Sequence, residues 1–197
     1  MKALRRLLGR RAAPPAAPAL RVLMVCSGNI CRSPTAEGVL RAMLGAAGLG
    51  ERIAVGSAGT QGLHAGEPPD PRAITAARAR GYDLSALRAR RVVGEDFVRF
   101  DLILAMDEGH ERWLQRTAPA QARARIERLM EHARRHRDQP VVPDPYYGSE
   151  RDFEHMLDLI EDACEGLLAA LAQEVSQRLA RGEAAPRVSR PGPDANA

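Results

Sequence analysis

Apolar runs without alternation stand at Leu20–Val25, Ile53–Val55 and Asp101–Ala105, and the stretches between them carry apolar residues at helical spacing. A strand that reads as a continuous apolar run is buried on both faces, and strands alternating with helices make a parallel sheet covered on both sides. The pattern therefore predicts an α/β fold. A first helix is expected to begin near Pro34, with Ser33 as its N-cap and Val39, Leu40, Met43 and Leu44 on its apolar face. Asp70-Pro71 and Gly81 frame a second helix. The final helix is the most clearly marked. Ser149 caps it, Asp152 follows three residues on, and Phe153, Met156, Leu157, Ile160, Cys164, Leu167 and Leu171 form one stripe that reads as core.

Composition narrows the class. With 197 residues, 45% hydrophobic and 27% charged, the chain has the size and balance of one globular domain. It has no apolar run long enough for a membrane span. Residues 1–19 are Ala/Pro-rich and hold Lys2, Arg5, Arg6, Arg10 and Arg11 with no acid, and residues 181–197 are rich in Pro, Gly and Ala. Both are expected to be disordered tails around a folded unit at 20–180, the first of them basic. The net charge of +4 is thus carried by the ends, leaving the middle slightly negative. With aromatics at only 4% and no basic stripe, a nucleic-acid partner is not expected. Three cysteines without disulfide-framework spacing point to a reducing, cytoplasmic compartment. The basic opening lacks the apolar core of a secretory signal.

The chemistry concentrates in Val22-Leu23-Met24-Val25-Cys26-Ser27-Gly28-Asn29-Ile30-Cys31-Arg32-Ser33-Pro34, a buried strand, a short polar turn and a helix start. Unpaired amides of a first helical turn favour a dianionic phosphate, and Gly28 and Asn29 tolerate the left-handed backbone such a nest requires. The same amides would surround the sulfur of Cys26 and stabilise its thiolate. Arg32, six residues on, can fold its planar fork over the loop and grip two phosphoryl oxygens. There is no Gly-Lys-[Ser/Thr] ending, so a nucleotide-binding loop does not fit.

The string CSGNICRSP resembles the signature loop of low-molecular-weight protein tyrosine phosphatases. SAGT at 57–60, GEPPDPRA at 66–73, EDFVRFDLILAMD at 95–107 and DPYYG at 144–148 extend that resemblance over most of residues 20–175. It implies a doubly wound, four-stranded parallel sheet with helices on both faces and a phosphate-binding loop after the first strand. It also implies hydrolysis of phosphotyrosine in proteins, with Cys26 as nucleophile, Arg32 binding the phosphoryl group and Asp144 as general acid and base. The main chain of Ser27, Gly28, Asn29, Ile30 and Cys31 would hold the phosphate, and Leu63, Tyr146 and Tyr147 would wall the aromatic slot. Asn29, Ser33 and Ser57 resemble a loop-holding hydrogen-bond set, with Asp107 a support behind it. Cys31 matches a second loop cysteine that can trap oxidised Cys26 as a disulfide, a packing thiol being the alternative. Cys164 and His64 read as an inert core thiol and a surface histidine.

The implied partners are phosphotyrosine proteins, autophosphorylating tyrosine kinases among them, met by a monomer or weak dimer with no metal and no cofactor. Leu87 departs from the pattern: the family often has histidine there, supporting the loop asparagine. Arsenate reduction on this fold needs further cysteines downstream, and none follows Cys31 before Cys164. Arginine-phosphate hydrolysis goes with threonine where Ile30 stands. A non-catalytic phosphotyrosine-binding module would need neither Cys26 nor Asp144.

Overall fold

The computed structural model describes residues 17–182, so both expected tails fall almost wholly outside the described residues. Four parallel strands form one sheet in the order β2-β1-β3-β4: β1 Leu20–Cys26, β2 Ile53–Gly59, β3 Leu102–Ala105 and β4 Arg125–Arg128. Successive side chains of a strand point to opposite faces, and here both faces are covered. Val22 and Met24 join the larger core with α1 (Arg32–Ala46) and α5 (Glu150–Ala180). Leu23 and Val25 face the other way, against Phe97 of the short α3 (Asp96–Arg99) and Leu114 of α4 (Glu108–Thr117). This is the doubly wound α/β arrangement read from the sequence, and burial on both sides is why the strand runs show no polar alternation.

β1 is the central strand, with β2 in register on one side (Met24 opposite Ser57) and β3 on the other (Met24 opposite Leu104). The order in which strands are added reverses at β1, with β2 laid on one side and β3 on the other, and in such folds ligands bind beyond the carboxyl end of the strands at that switch point. The loop 27–31 lies there. α2 (Pro71–Ala79) starts as expected, with Asp70 accepting from the Arg72 main-chain N at 2.8 Å, and Gly81 takes φ +87° just past its end. Asp152 accepts from the Ser149 main-chain N at 2.6 Å at the start of α5, and the whole predicted stripe is buried. Among the described residues no helix is long and apolar enough to cross a membrane.

The first helix differs from expectation. α1 begins at Arg32, with Cys31 in the cap position and no side-chain cap bond. The Cys31 carbonyl instead accepts from both the main-chain N (3.3 Å) and Oγ1 (2.7 Å) of Thr35. Ser33 is one residue inside the helix, and its hydroxyl turns toward the loop.

Candidate active site

The loop is shaped by what holds its outer side. The carbonyls of Cys26, Ser27 and Ile30 accept from the main-chain N of Thr60 (2.9 Å), Gln61 (3.0 Å) and Asp70 (2.8 Å). With the carbonyls drawn outward, the N–H groups of residues 27–31 are left without protein partners among the described residues. That is the ring of inward amides an anion needs. Only Asn29 takes the left-handed backbone, at φ +59°; Gly28 does not. Glycine at 28 has another reason, since a Cβ there would lie 3.0 Å from the His64 ring. Gly59 is tighter still: a Cβ would meet the Ser27 carbonyl oxygen.

Asn29 braces the loop from within. Its Nδ2 donates to Ser33 Oγ at 2.9 Å, and its Oδ1 accepts from the Arg90 main-chain N at 2.9 Å. Ser33 Oγ lies 3.1 Å from Cys26 Sγ and 3.3 Å from the Ala58 carbonyl. Leu87 is half-buried and takes no part, so the support for Asn29 comes from a main-chain amide that is indifferent to the side chain at 87. Ser57 is buried on β2 beside the Glu37 carboxyl, whose pKa burial pushes up.

Arg32 is 4% exposed and reaches the loop from below. Its Nη1 donates to Asp107 Oδ2 (2.9 Å) and to the Val142 carbonyl (3.3 Å). Its Nη2 donates to Asp144 Oδ2 at 2.7 Å. One buried guanidinium thus ties together residues 32, 107 and 144 from three separate segments, beside a buried thiol and under a ring of free amides. A carboxyl, a planar guanidinium fork and a sulfur gathered in one place are the kinds of group that phosphoryl transfer draws on.

A family model described as low molecular weight phosphotyrosine protein phosphatase matches residues 21–177. The chain belongs to that family. It is 45% identical over 166 residues to the low molecular weight protein-tyrosine-phosphatase of Streptomyces coelicolor, covering 81% of this chain and 98% of that protein. It is 39% identical over 149 residues to the human low molecular weight phosphotyrosine protein phosphatase, covering 75% and 92%. Among solved structures, a protein tyrosine phosphatase of Entamoeba histolytica, crystallised with Hepes in its active site, aligns with TM-score 0.75 and 37% identity, covering 79% of this chain and 98% of that one.

In this phosphatase the loop opens into a cleft of about 360 Å³ lined by Cys26, Ile30, Arg32, Leu63, Asp144 and Tyr146, among others. Leu63 is 80% exposed and Tyr147 97%, and the Tyr146 and Tyr147 rings meet edge to face at 4.9 Å. Apolar groups left in water around a polar floor mark a binding mouth. His64 lines the same cleft beside Gly28, its Nδ1 2.7 Å from Glu67 Oε2. Cys31 is buried, and burial, with Asp70 and Cys26 nearby, pushes its thiol up to about 12. Cys164 is fully buried in α5, where burial likewise raises its pKa.

One residue escaped the sequence reading. His110, 5% exposed in α4, places its Nε2 2.9 Å from Ser27 Oγ. Asp107 caps the same helix, its Oδ1 accepting from the His110 main-chain N at 2.8 Å. Burial alone would raise the Asp107 pKa, but the His110 ring and amide together with the Arg32 guanidinium outweigh it and hold the carboxyl well below its ordinary 3.8. A carboxyl lowered on folding stabilises the protein above the ordinary carboxylate range, and that contribution is lost as the pH falls through and below it. Urea unfolding of wild type and Asp107→Asn is therefore expected to show a stability gap that is widest near about pH 6 and narrows by about pH 3.

Proposed function

We propose that this phosphatase hydrolyses phosphotyrosine in proteins through a cysteinyl-phosphate on Cys26. The observation that carries the reading is the convergence of unpartnered loop amides, the Cys26 sulfur and the Arg32 fork at the carboxyl end of β1. The ester's phosphoryl oxygens take the loop amides and Arg32 as donors. The sulfur attacks phosphorus, the P–O bond to the phenol breaks, and Asp144 gives its proton to the leaving oxygen. Asp144 then takes a proton from the water that attacks the phosphoenzyme, which releases phosphate and restores the sulfur anion. The Ser33 hydroxyl, 3.1 Å from that sulfur, stabilises it as leaving group.

In the structure Asp144 is paired with Arg32. The dianionic substrate must displace it, and the carboxyl, away from the guanidinium, takes up a proton from solvent before giving it to the leaving oxygen. Ile30, Leu63, Tyr146 and Tyr147 supply an apolar slot suited to a phenyl ring. Autophosphorylated tyrosine kinases are one class of protein that presents such a group. The site is complete within one chain, and a reducing cytoplasm would keep Cys26 and Cys31 as thiols. Should a peroxide oxidise Cys26 to the sulfenic acid, attack by Cys31 would release water and leave a disulfide that cellular thiols reduce.

Asp144→Asn tests the acid directly. The expected loss in kcat/KM with p-nitrophenyl phosphate is on the order of 10²- to 10³-fold. Because kcat/KM reports attack on the ester, the loss should shrink across aryl phosphates whose phenols leave more readily. A defect independent of the leaving group would remove Asp144 from the acid role.

A further inference from the structure

The ring of contacts around Arg32 has a side that the mechanism above leaves unused. Ser27 Oγ lies 2.9 Å from His110 Nε2, His110 Nδ1 lies 3.0 Å from Asp107 Oδ1, and Asp107 Oδ2 accepts from Arg32 Nη1 at 2.9 Å. The circuit closes where Arg32 Nη2 stands 3.5 Å from Ser27 Oγ, the long limit of a hydrogen bond. The Nδ1 of His110 has no well-aligned hydrogen-bond partner, so its tie to Asp107 is electrostatic. A carboxylate at that distance still favours the tautomer that carries its proton on Nδ1. Nε2 is then an acceptor, the Ser27 hydroxyl donates to it, and the lone pairs of Ser27 face Arg32.

The short partner of Arg32 Nη2 is Asp144. A bound phosphoryl group takes Asp144's place, and Asp144 moves to the leaving oxygen. Asp107 fixes one edge of the guanidinium throughout, but the other edge loses its protein partner at the moment the fork must be held in plane. We propose that Ser27, oriented by His110, is a positioning residue that accepts from Arg32 Nη2 once Asp144 has let go, so that the guanidinium keeps its gripping orientation through the phosphoryl transfer. This rests on the phosphatase mechanism proposed above. Ser27 and His110 are 83 positions apart and meet only because β1 and β3 are neighbours in the sheet.

The test measures vanadate inhibition and kcat/KM for p-nitrophenyl phosphate on wild type, Ser27→Ala, Ser27→Thr, His110→Asn and the Ser27→Ala/His110→Asn pair, with thermal unfolding of each. Ser27→Ala and His110→Asn are each expected to weaken vanadate inhibition and lower kcat/KM by roughly 10-fold, the scale of one hydrogen bond to a charged group. The double variant should lose no more than the worse single, because both cut one chain of contacts. Ser27→Thr keeps the hydroxyl and should recover most of what Ser27→Ala loses, in vanadate inhibition as in kcat/KM. Unchanged vanadate inhibition in Ser27→Ala, or losses that multiply in the double variant, would overturn the proposal. If His110→Asn does not fold, the contrast between Ser27→Ala and Ser27→Thr decides. An inactive wild type would count against the phosphatase mechanism, and vanadate binding read by calorimetry on the same variants would then still judge the Ser27 contact.

Discussion

Cys26→Ser is expected to lower kcat for p-nitrophenyl phosphate by at least about 10⁴-fold while a phosphotyrosine peptide still binds. The two side chains are nearly isosteric, so the loop, its outward carbonyls and the Asn29 brace should survive the exchange. What changes is the nucleophile. A ring of amides stabilises a sulfur anion readily, whereas a serine hydroxyl keeps its proton and has no base placed to remove it. The hydroxyl of Ser33 at 3.1 Å can exchange a hydrogen bond with either atom, so it does not rescue the variant. Steady-state rates together with peptide binding by calorimetry separate loss of chemistry from loss of the site. Equal rates for the two proteins would remove Cys26 from the reaction.

Arg32→Lys should be nearly as damaging, with kcat/KM down by on the order of 10³-fold. The guanidinium is buried, and its separate nitrogens hold Asp107 and the Val142 carbonyl on one side and face Asp144 on the other. A lysine ammonium is a point charge on a flexible stem and cannot keep Asp107 while making paired bonds to phosphoryl oxygens. The Asp107 carboxylate and Val142 carbonyl would then lack donors, so stability should fall as well, by roughly 1–3 kcal/mol in urea unfolding. If kcat/KM stayed within about 10-fold of wild type, charge alone would suffice and the paired-fork argument would fail.

These two residues were legible in the sequence because their chemistry is local: a buried strand, a polar turn and a helix start within thirteen positions. The strands β1, β2 and β3 were legible for the same reason, as was α5, whose stripe and cap lie within one segment. β4 was not. Arg-Ile-Glu-Arg at 125–128 is an edge strand with one apolar residue, so no hydrophobic run betrays it. The start of α1 was misplaced because Ser33 and Pro34 form a good local cap signal, while the tertiary demand on the Ser33 hydroxyl by Cys26, Asn29 and Ala58 is invisible in one dimension.

Distance along the chain explains the remaining gaps. The Arg32–Asp144 pair spans 112 positions, the Asn29–Arg90 bond 61 and the Ser27–His110 contact 83. Asp144 was reached only through the family resemblance, since Asp-Pro by itself reads as a turn. Leu87 shows the opposite case. Its departure from the family pattern removes a side-chain support for the loop asparagine, but a side-chain pattern does not report a main-chain donor, and the Arg90 amide supplies a bond to Asn29.

Every step proposed for this site requires a phosphoryl group to pass through the Cys26 sulfur. Rapid quenching of Asp144→Ala during turnover of an aryl phosphate with a readily leaving phenol, followed by peptide mass spectrometry, tests this most directly. A phosphoryl adduct on Cys26 should form with a burst of phenol and decay as phosphate appears. A burst accompanied by an adduct on another residue, or phenol released with phosphate in step and no adduct at any time, would contradict it.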